Sequence, residues 1–295
     1  MNLQSAPEFD VSNWLTRIEF YENAARLSAA TAFGLSLVLA GLYLRRAQQA
    51  ADRERGQQSR AFLVPLARLS RLFFVIGMGL GCAHFALASA TPSVTLATLM
   101  SLGIVTLLST VVIAIDFDHD RLPLFTFLTS AISWLLLVLT PFLFSSGTGE
   151  VRGPLSLIGR FHILAAIVAE SLFVLGFLTS LIYLFVHSRL RSKRLTGGGG
   201  LPSLDTLDRL VDRSTVLGLL LMTSSLVSGL ALTYQGYSLG SEGFFKLLWA
   251  FGVWVWYVIA IFGRARLGWK GPKGALASVI GAALLGLALF GTIWS

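Results

Sequence analysis

The sequence predicts an all-α fold: a polytopic membrane helix bundle of about eight transmembrane helices, with both termini outside. Three observations carry this. Of 295 residues, 55% are hydrophobic and 13% charged, at a mean hydropathy of +0.74, whereas a soluble domain has about a quarter of its residues charged. The apolar residues come in runs near the roughly 20 residues that cross a bilayer core of about 30 Å. The basic residues sit between those runs, in alternate loops.

Taken in order, the runs are 24–44, 70–90, 94–115, 122–144, 159–187, 214–235, 244–263 and 274–294, in one transmembrane domain over 1–295. Backbone in lipid must pair internally, so each run is read as a helix. The fourth opens at Leu122-Pro123-Leu124 and carries Pro141 near its far end. Three loops then set direction. One holds Arg45, Arg46, Arg53, Arg55, Arg60, Arg68 and Arg71; the next Arg189, Arg191, Lys193, Arg194, Arg209 and Arg213; the last Arg264, Arg266, Lys270 and Lys273. Together they contain 17 of the 23 basic residues, and with eight spans all three face the cytoplasm under the positive-inside rule. The remaining inner loop, Asp116 to Arg121, is acidic and too short to reverse this. The implied location is the inner (cytoplasmic) membrane, multi-pass.

The net charge of +8 therefore orients the chain in lipid and does not indicate nucleic acid. Cys82 is the single cysteine, so neither an internal disulfide nor a cysteine-based zinc site is available. Residues 1–23 lack a basic stretch followed by a short apolar core, and no cleavable signal is expected. No nucleophile–base pair or zinc spacing occurs. Gly197 to Gly200 do not precede a Lys-Ser/Thr and are not a phosphate loop. This argues against a hydrolase or ATPase and leaves an enzymatic role without a basis in the sequence.

The connector 196–213 reads as a glycine hinge followed by a short amphipathic helix at the inner surface. Leu201, Leu204, Leu207 and Leu210 recur every third residue among Asp205, Asp208, Arg209, Asp212 and Arg213. Ser203 is placed to cap it, with Asp205 near its positive end. It is either a surface lead-in to the sixth span or a docking face for a cytoplasmic partner.

Four histidines are candidates for chemistry. His119 lies among aspartates in the short inner loop, and His187 lies at the inner end of the fifth span. His84 and His162 are in the outward halves of the second and fifth spans, about eight residues before Pro92 and nine after Gly153, hence near one depth. Two neutral imidazoles at one depth on different helices are what bis-histidine ligation of a b-type heme iron requires. Gly77, Gly79, Gly81, Ala83 and Ala86, with Ala165, Ala166 and Ala169, leave space for a flat ring. Equally, each histidine can hydrogen-bond to a neighbouring helix and hold the bundle together. Arg160, two residues before His162, is the natural partner for a propionate. Glu170 is the one carboxylate in the middle of a span, read as a neutral acid bonded to a hydroxyl such as Thr223, Ser224 or Ser225, or as a proton relay.

Four blocks in order resemble a known family: Arg160-Phe161-His162-Ile163-Leu164-Ala165, Leu201-Pro202-Ser203-Leu204-Asp205-Thr206-Leu207-Asp208-Arg209, the spacing Lys246…Trp254…Tyr257, and Gly268-Trp269-Lys270-Gly271. They are similar to the cytochrome c assembly family of integral membrane heme-handling proteins (CcsA/HemX-type), and closest to its HemX-type branch. The likeness is best over 155–291. Where the heme-ligating branch has a tryptophan-rich external loop ending in Trp-Asp-Pro-Lys, this chain has Phe244-Phe245-Lys246 and no tryptophan in the loop. Where that branch carries an external histidine, this chain has Phe262. The resemblance implies heme b as cofactor, a membrane role in cytochrome c maturation or control of heme biosynthesis, and a cytoplasmic or membrane protein partner besides the bilayer. Two classes compete: a small transporter or heme conduit, for which the sequence shows no convincing internal repeat, and a heme-bearing or structural subunit of a respiratory electron-transfer complex.

Overall fold

The computed structural model describes residues 11–52, 58–90, 103–105, 107–109, 123–143, 156–192, 203–234 and 241–291. Seven helices result: α1 (Val11–Asp52), α2 (Gln58–Ala90), α3 (Pro123–Leu143), α4 (Leu157–Arg191), α5 (Leu204–Tyr234), α6 (Ser241–Arg266) and α7 (Pro272–Gly291). Five contain stretches long and apolar enough to cross a membrane: Asn23–Ala47, Val64–Ala86, Leu157–Arg191, Leu204–Tyr234 and Leu247–Arg266. Phe125–Leu139 and Pro272–Leu287 are shorter apolar helices. This is a polytopic helical membrane protein. Residues 103–105 and 107–109 are helical within the expected third span; the rest of 94–115, the loop with His119, and Gly197 to Gly200 lie outside the described residues.

The helix starts follow local chemistry. The Ser156 hydroxyl accepts from Gly159 N (3.1 Å) and that of Ser203 from Thr206 N (3.1 Å), each satisfying a free N–H of a first turn. The last turns of α4 and α6 carry Arg189 and Arg191 and Arg264 and Arg266, which offset the negative ends of those helices. Pro272 opens α7, where its missing N–H costs nothing.

In the N-terminal half, α1 packs on α2 and α3. Small residues set the approach: Gly77 lies under the Phe33 ring, Gly34 under Trp134 and Gly41 under Phe127. Ser36 donates to Ser70 O (2.9 Å) and is itself met by Ser130 Oγ (3.0 Å). In the C-terminal half, α4 packs on α5 and α7, and α6 fits between α5 and α7. The two halves meet through α3 and α4 and through residues 103–105: Val105 is the neighbour of Gly81 on α2, and Gly103 lies against Ile167 on α4.

The connector differs from its reading as a separate surface helix. Residues from Leu204 onward are the first turns of α5 itself. Leu207 is 1% exposed, and Leu204 and Leu210 pack on the same core. Leu204, Leu207 and Leu210 are spent inside the molecule, because burial against α4 competes with any outside partner for one apolar face; Leu201 lies outside the described residues. Asp208, between those leucines, accepts from Gly271 N (3.2 Å) and from Arg264 Nη1 (3.5 Å); Asp212 lies 3.8 Å from the same guanidinium nitrogen. Gly268 and Gly271 take φ of +66° and +65°, which only glycine adopts freely. The turn they make folds Trp269 onto Gly263. Asp208 of the second sequence block and Gly268 to Gly271 of the fourth are thus one structure, a clasp at one end of the C-terminal half.

Candidate functional site

His162 sits one turn into α4, half-buried, with its ring laid on α5. Its Nδ1 is 2.8 Å from the Ser225 carbonyl oxygen. A carbonyl can only accept, so Nδ1 carries the proton and Nε2 carries the lone pair. The Ser225 hydroxyl donates back to His162 O (3.2 Å) and lies 3.1 Å from Nδ1. Ser228 Oγ donates to the same Ser225 carbonyl (2.9 Å). The ring's position depends on Gly229: a Cβ there would stand 3.0 Å from His162 Cε1 and 3.2 Å from Nδ1. The described contacts of His162 engage Nδ1 and leave Nε2 without a partner among the described residues. An imidazole held at one nitrogen by a backbone carbonyl, with the other free, is the arrangement of a metal-ligating histidine.

His84 is 1% exposed, and neither ring nitrogen has a partner among the described residues. It belongs to the N-terminal half. Among the described residues α2 and α4 make no direct contact; residues 103–105 touch both, one turn before His84 and one turn after His162. The small residues flanking His84 do not line one slot. Gly77 faces Phe33 and Gly81 faces Val105, while Gly79 and Ala83 are exposed. On α4, Ala169 packs instead in the C-terminal core with Phe173 and Tyr257. Arg160 is exposed and stands about 160° around the helix from His162, as positions two apart must. His187 stacks on Tyr183 (centroids 6.1 Å, 13°) near the clasp.

Glu170 Oε2 is buried without a partner among the described residues. The hydroxyls expected to serve it are committed elsewhere: Ser225 to His162, Ser224 to Leu221 O (2.7 Å), and Thr223 to Leu219 O (2.7 Å). Thr223 also accepts from Trp254 Nε1 (2.8 Å). Trp254 stacks on Phe251 (5.5 Å, 20°) and lines an apolar cavity of about 350 Å³ between α5 and α6, with Leu226, Leu230 and Phe244. That cavity opens on the face of α5 away from Ser225 and Gly229. The side chain of Lys246 lies outside the described residues.

Sequence reasoning offered Ser225 to Glu170 and not to His162, and passed over Gly229. The run Ser224-Ser225…Ser228-Gly229, small and hydroxylic inside an apolar helix, was the available signal for a close helix crossing. Its pairing with His162, 63 positions away, needs the fold.

The Cytochrome C assembly protein family matches residues 89–295, well over half of the chain. The chain belongs to the cytochrome c assembly protein family. It is thus a multi-pass helical membrane protein of that family. The match takes in α4 to α7 and the whole of the His162 site. Among curated relatives, "Inner membrane protein YpjD" of Escherichia coli strain K12 is 26% identical over 131 residues, 44% of this chain and 49% of the relative. The same protein in strains O6:H1 and O157:H7 gives the same figures. The chain thus spans about half the length of the curated relatives it matches. No solved structure matches.

Proposed function

We propose that this protein holds a b-type heme in the outward half of the membrane, with His162 as one axial ligand and His84 as the other. It serves cytochrome c maturation or the control of heme biosynthesis, in the manner of the HemX-type branch. The His162–Ser225 bond is the observation that carries this reading. It fixes the tautomer and presents Nε2 as a lone pair. Gly229 keeps α5 clear of the ring. His84 adds a second imidazole whose two nitrogens have no partner among the described residues, which is costly in lipid unless something binds there. Heme supplies an iron centre and a flat apolar ring with two propionates. Arg160 is the cation nearest in sequence for a propionate. The proteins served are a cytoplasmic or membrane partner in heme biosynthesis or cytochrome maturation.

Absorption spectra of protein purified from heme-replete cells test this. The expected result is split low-spin bands, abolished by His162→Ala, converted to a five-coordinate spectrum by His84→Ala, and untouched by His119→Ala. Protein that is heme-free and does not take up added hemin, or bands that survive His162→Ala, overturns it.

A further inference from the structure

Three unpartnered hydroxyls lie in the N-terminal half of the bundle. Ser109, Thr129 and Ser133 are each 0% exposed, and none of their hydroxyl oxygens has a hydrogen-bond partner among the described residues. Glu170 Oε2 is in the same condition. These groups border one region. Thr126, Thr129, Ser130 and Ser133 recur at i, i+3, i+4 and i+7, so they form one stripe on α3, and all four are buried. Glu170 shares a face of α4 with Val174 and Phe177, which pack on the core that includes Leu108, the neighbour of Ser109.

Their depths follow from the contacts. Trp134 lies on Gly34 and Phe127 on Gly41, so α3 runs antiparallel to α1; Phe33 lies on Gly77, Val105 beside Gly81, and Gly103 on Ile167. With successive helices alternating in direction, Ser109 and Ser133 fall at one level. Glu170 is about 5 Å farther out. Thr129 and the bonded set Ser130, Ser36 and Ser70 lie one turn farther in. Ser70 is in turn about 9 Å from the cytoplasmic start of the apolar stretch Val64–Ala86.

We infer that these hydroxyls line a file of internal water that carries protons between the cytoplasmic end of the bundle and the Glu170 carboxyl. A hydroxyl sealed in a membrane without a partner is unfavourable, and water is the ligand that supplies both a donor and an acceptor to such groups. A hydroxyl can take a proton on its oxygen while releasing its own, so a chain of hydroxyls and water passes a proton without moving a charged side chain. At the end of the file an arriving proton exchanges for the one on the Glu170 carboxyl, which returns along the same file to the water outside, so the net charge stays constant. With no cation paired to it among the described residues, the carboxyl is the neutral acid. This inference stands apart from heme, because none of these groups is an axial ligand.

Infrared spectroscopy of the purified protein transferred from H2O to D2O tests it. The band of a protonated carboxyl, identified by its loss in Glu170→Gln, is expected to shift within minutes. Thr129→Val with Ser133→Ala is expected to slow that shift at least tenfold; if the double variant does not fold, Thr129→Val alone is read, with slowing again expected. A Glu170 band that fails to shift over hours, no Glu170-dependent band at all, or an unchanged rate in the hydroxyl variants overturns the inference. Heme content does not enter the readout.

Discussion

Phe173 of α4 and Tyr257 of α6 lie face to face, ring centroids 3.8 Å apart and planes within 6°. Each outer face of the pair is closed by a glycine. A Cβ at Gly218 would come within 2.7 Å of the Phe173 ring, and one at Gly281 within 2.7 Å of Tyr257. Four helices are thereby stacked through two rings and two absent side chains. The pair is fully buried, and the Tyr257 hydroxyl has no hydrogen-bond partner among the described residues.

This stack sets a contrast between two changes at one position. Tyr257→Phe removes an unpaired hydroxyl and is expected to leave stability unchanged or raise it by up to about 1 kcal/mol. Tyr257→Ala removes the ring and is expected to cost about 3–5 kcal/mol. Thermal unfolding in detergent, followed by helical circular dichroism, reads both. A loss in Tyr257→Phe comparable to that in Tyr257→Ala contradicts the stacking account.

The clasp gives a second contrast. Asp208→Asn leaves the 7%-exposed Arg264 without its closest carboxylate and weakens the tie to Gly271. The expected loss is about 3 kcal/mol, the scale for breaking one partner of a buried pair. Asp205→Asn breaks only the exposed pair with Arg209 and is expected to cost about 0.5 kcal/mol or less. Similar losses for both changes overturn the assignment of the clasp to Asp208.

Gly229→Val places a branched side chain where the His162 ring lies. Heme retention is expected to fall at least tenfold while the helical content is kept, read from heme-to-protein absorbance ratios after purification. Retention equal to the parent removes Gly229 from the site.

Orientation is open to direct measurement. With both termini outside, a periplasm-active reporter fused after Ser295 is expected to be active and a cytoplasm-active one silent. The reverse pattern contradicts the eight-span topology.

The protein alone is expected not to attach heme covalently to a Cys-x-x-Cys-His acceptor. By the sequence resemblance, Phe262, exposed on α6, takes the place of the heme-ligating branch's histidine. A covalent c-type product in a host stripped of its own maturation system refutes this.

The spans were legible because hydropathy and loop charge act locally and one residue at a time. His162 drew notice for a related reason: an imidazole in an apolar run stands out against its neighbours. What the sequence concealed was pairing across helices. Ser225 reads as one hydroxyl among several until α4 is laid on α5, and Asp208 reads as a solvent residue until Arg264 and Gly271 are brought to it. The leucines of the connector have the spacing of a docking face, and periodicity alone does not say whether the face meets a partner or the molecule itself. The glycines before His84 have the spacing of an open slot, yet they point in different directions. Arg160 is close to His162 along the chain and far from it around the helix.

Gly281, which seals the outer face of Tyr257, lies on α7, the final helix. Before α7 packs, the outer face of the Tyr257 ring is uncapped. Until the last hairpin turns at Gly268 and Gly271 and brings α7 home, the C-terminal half has no finished seam.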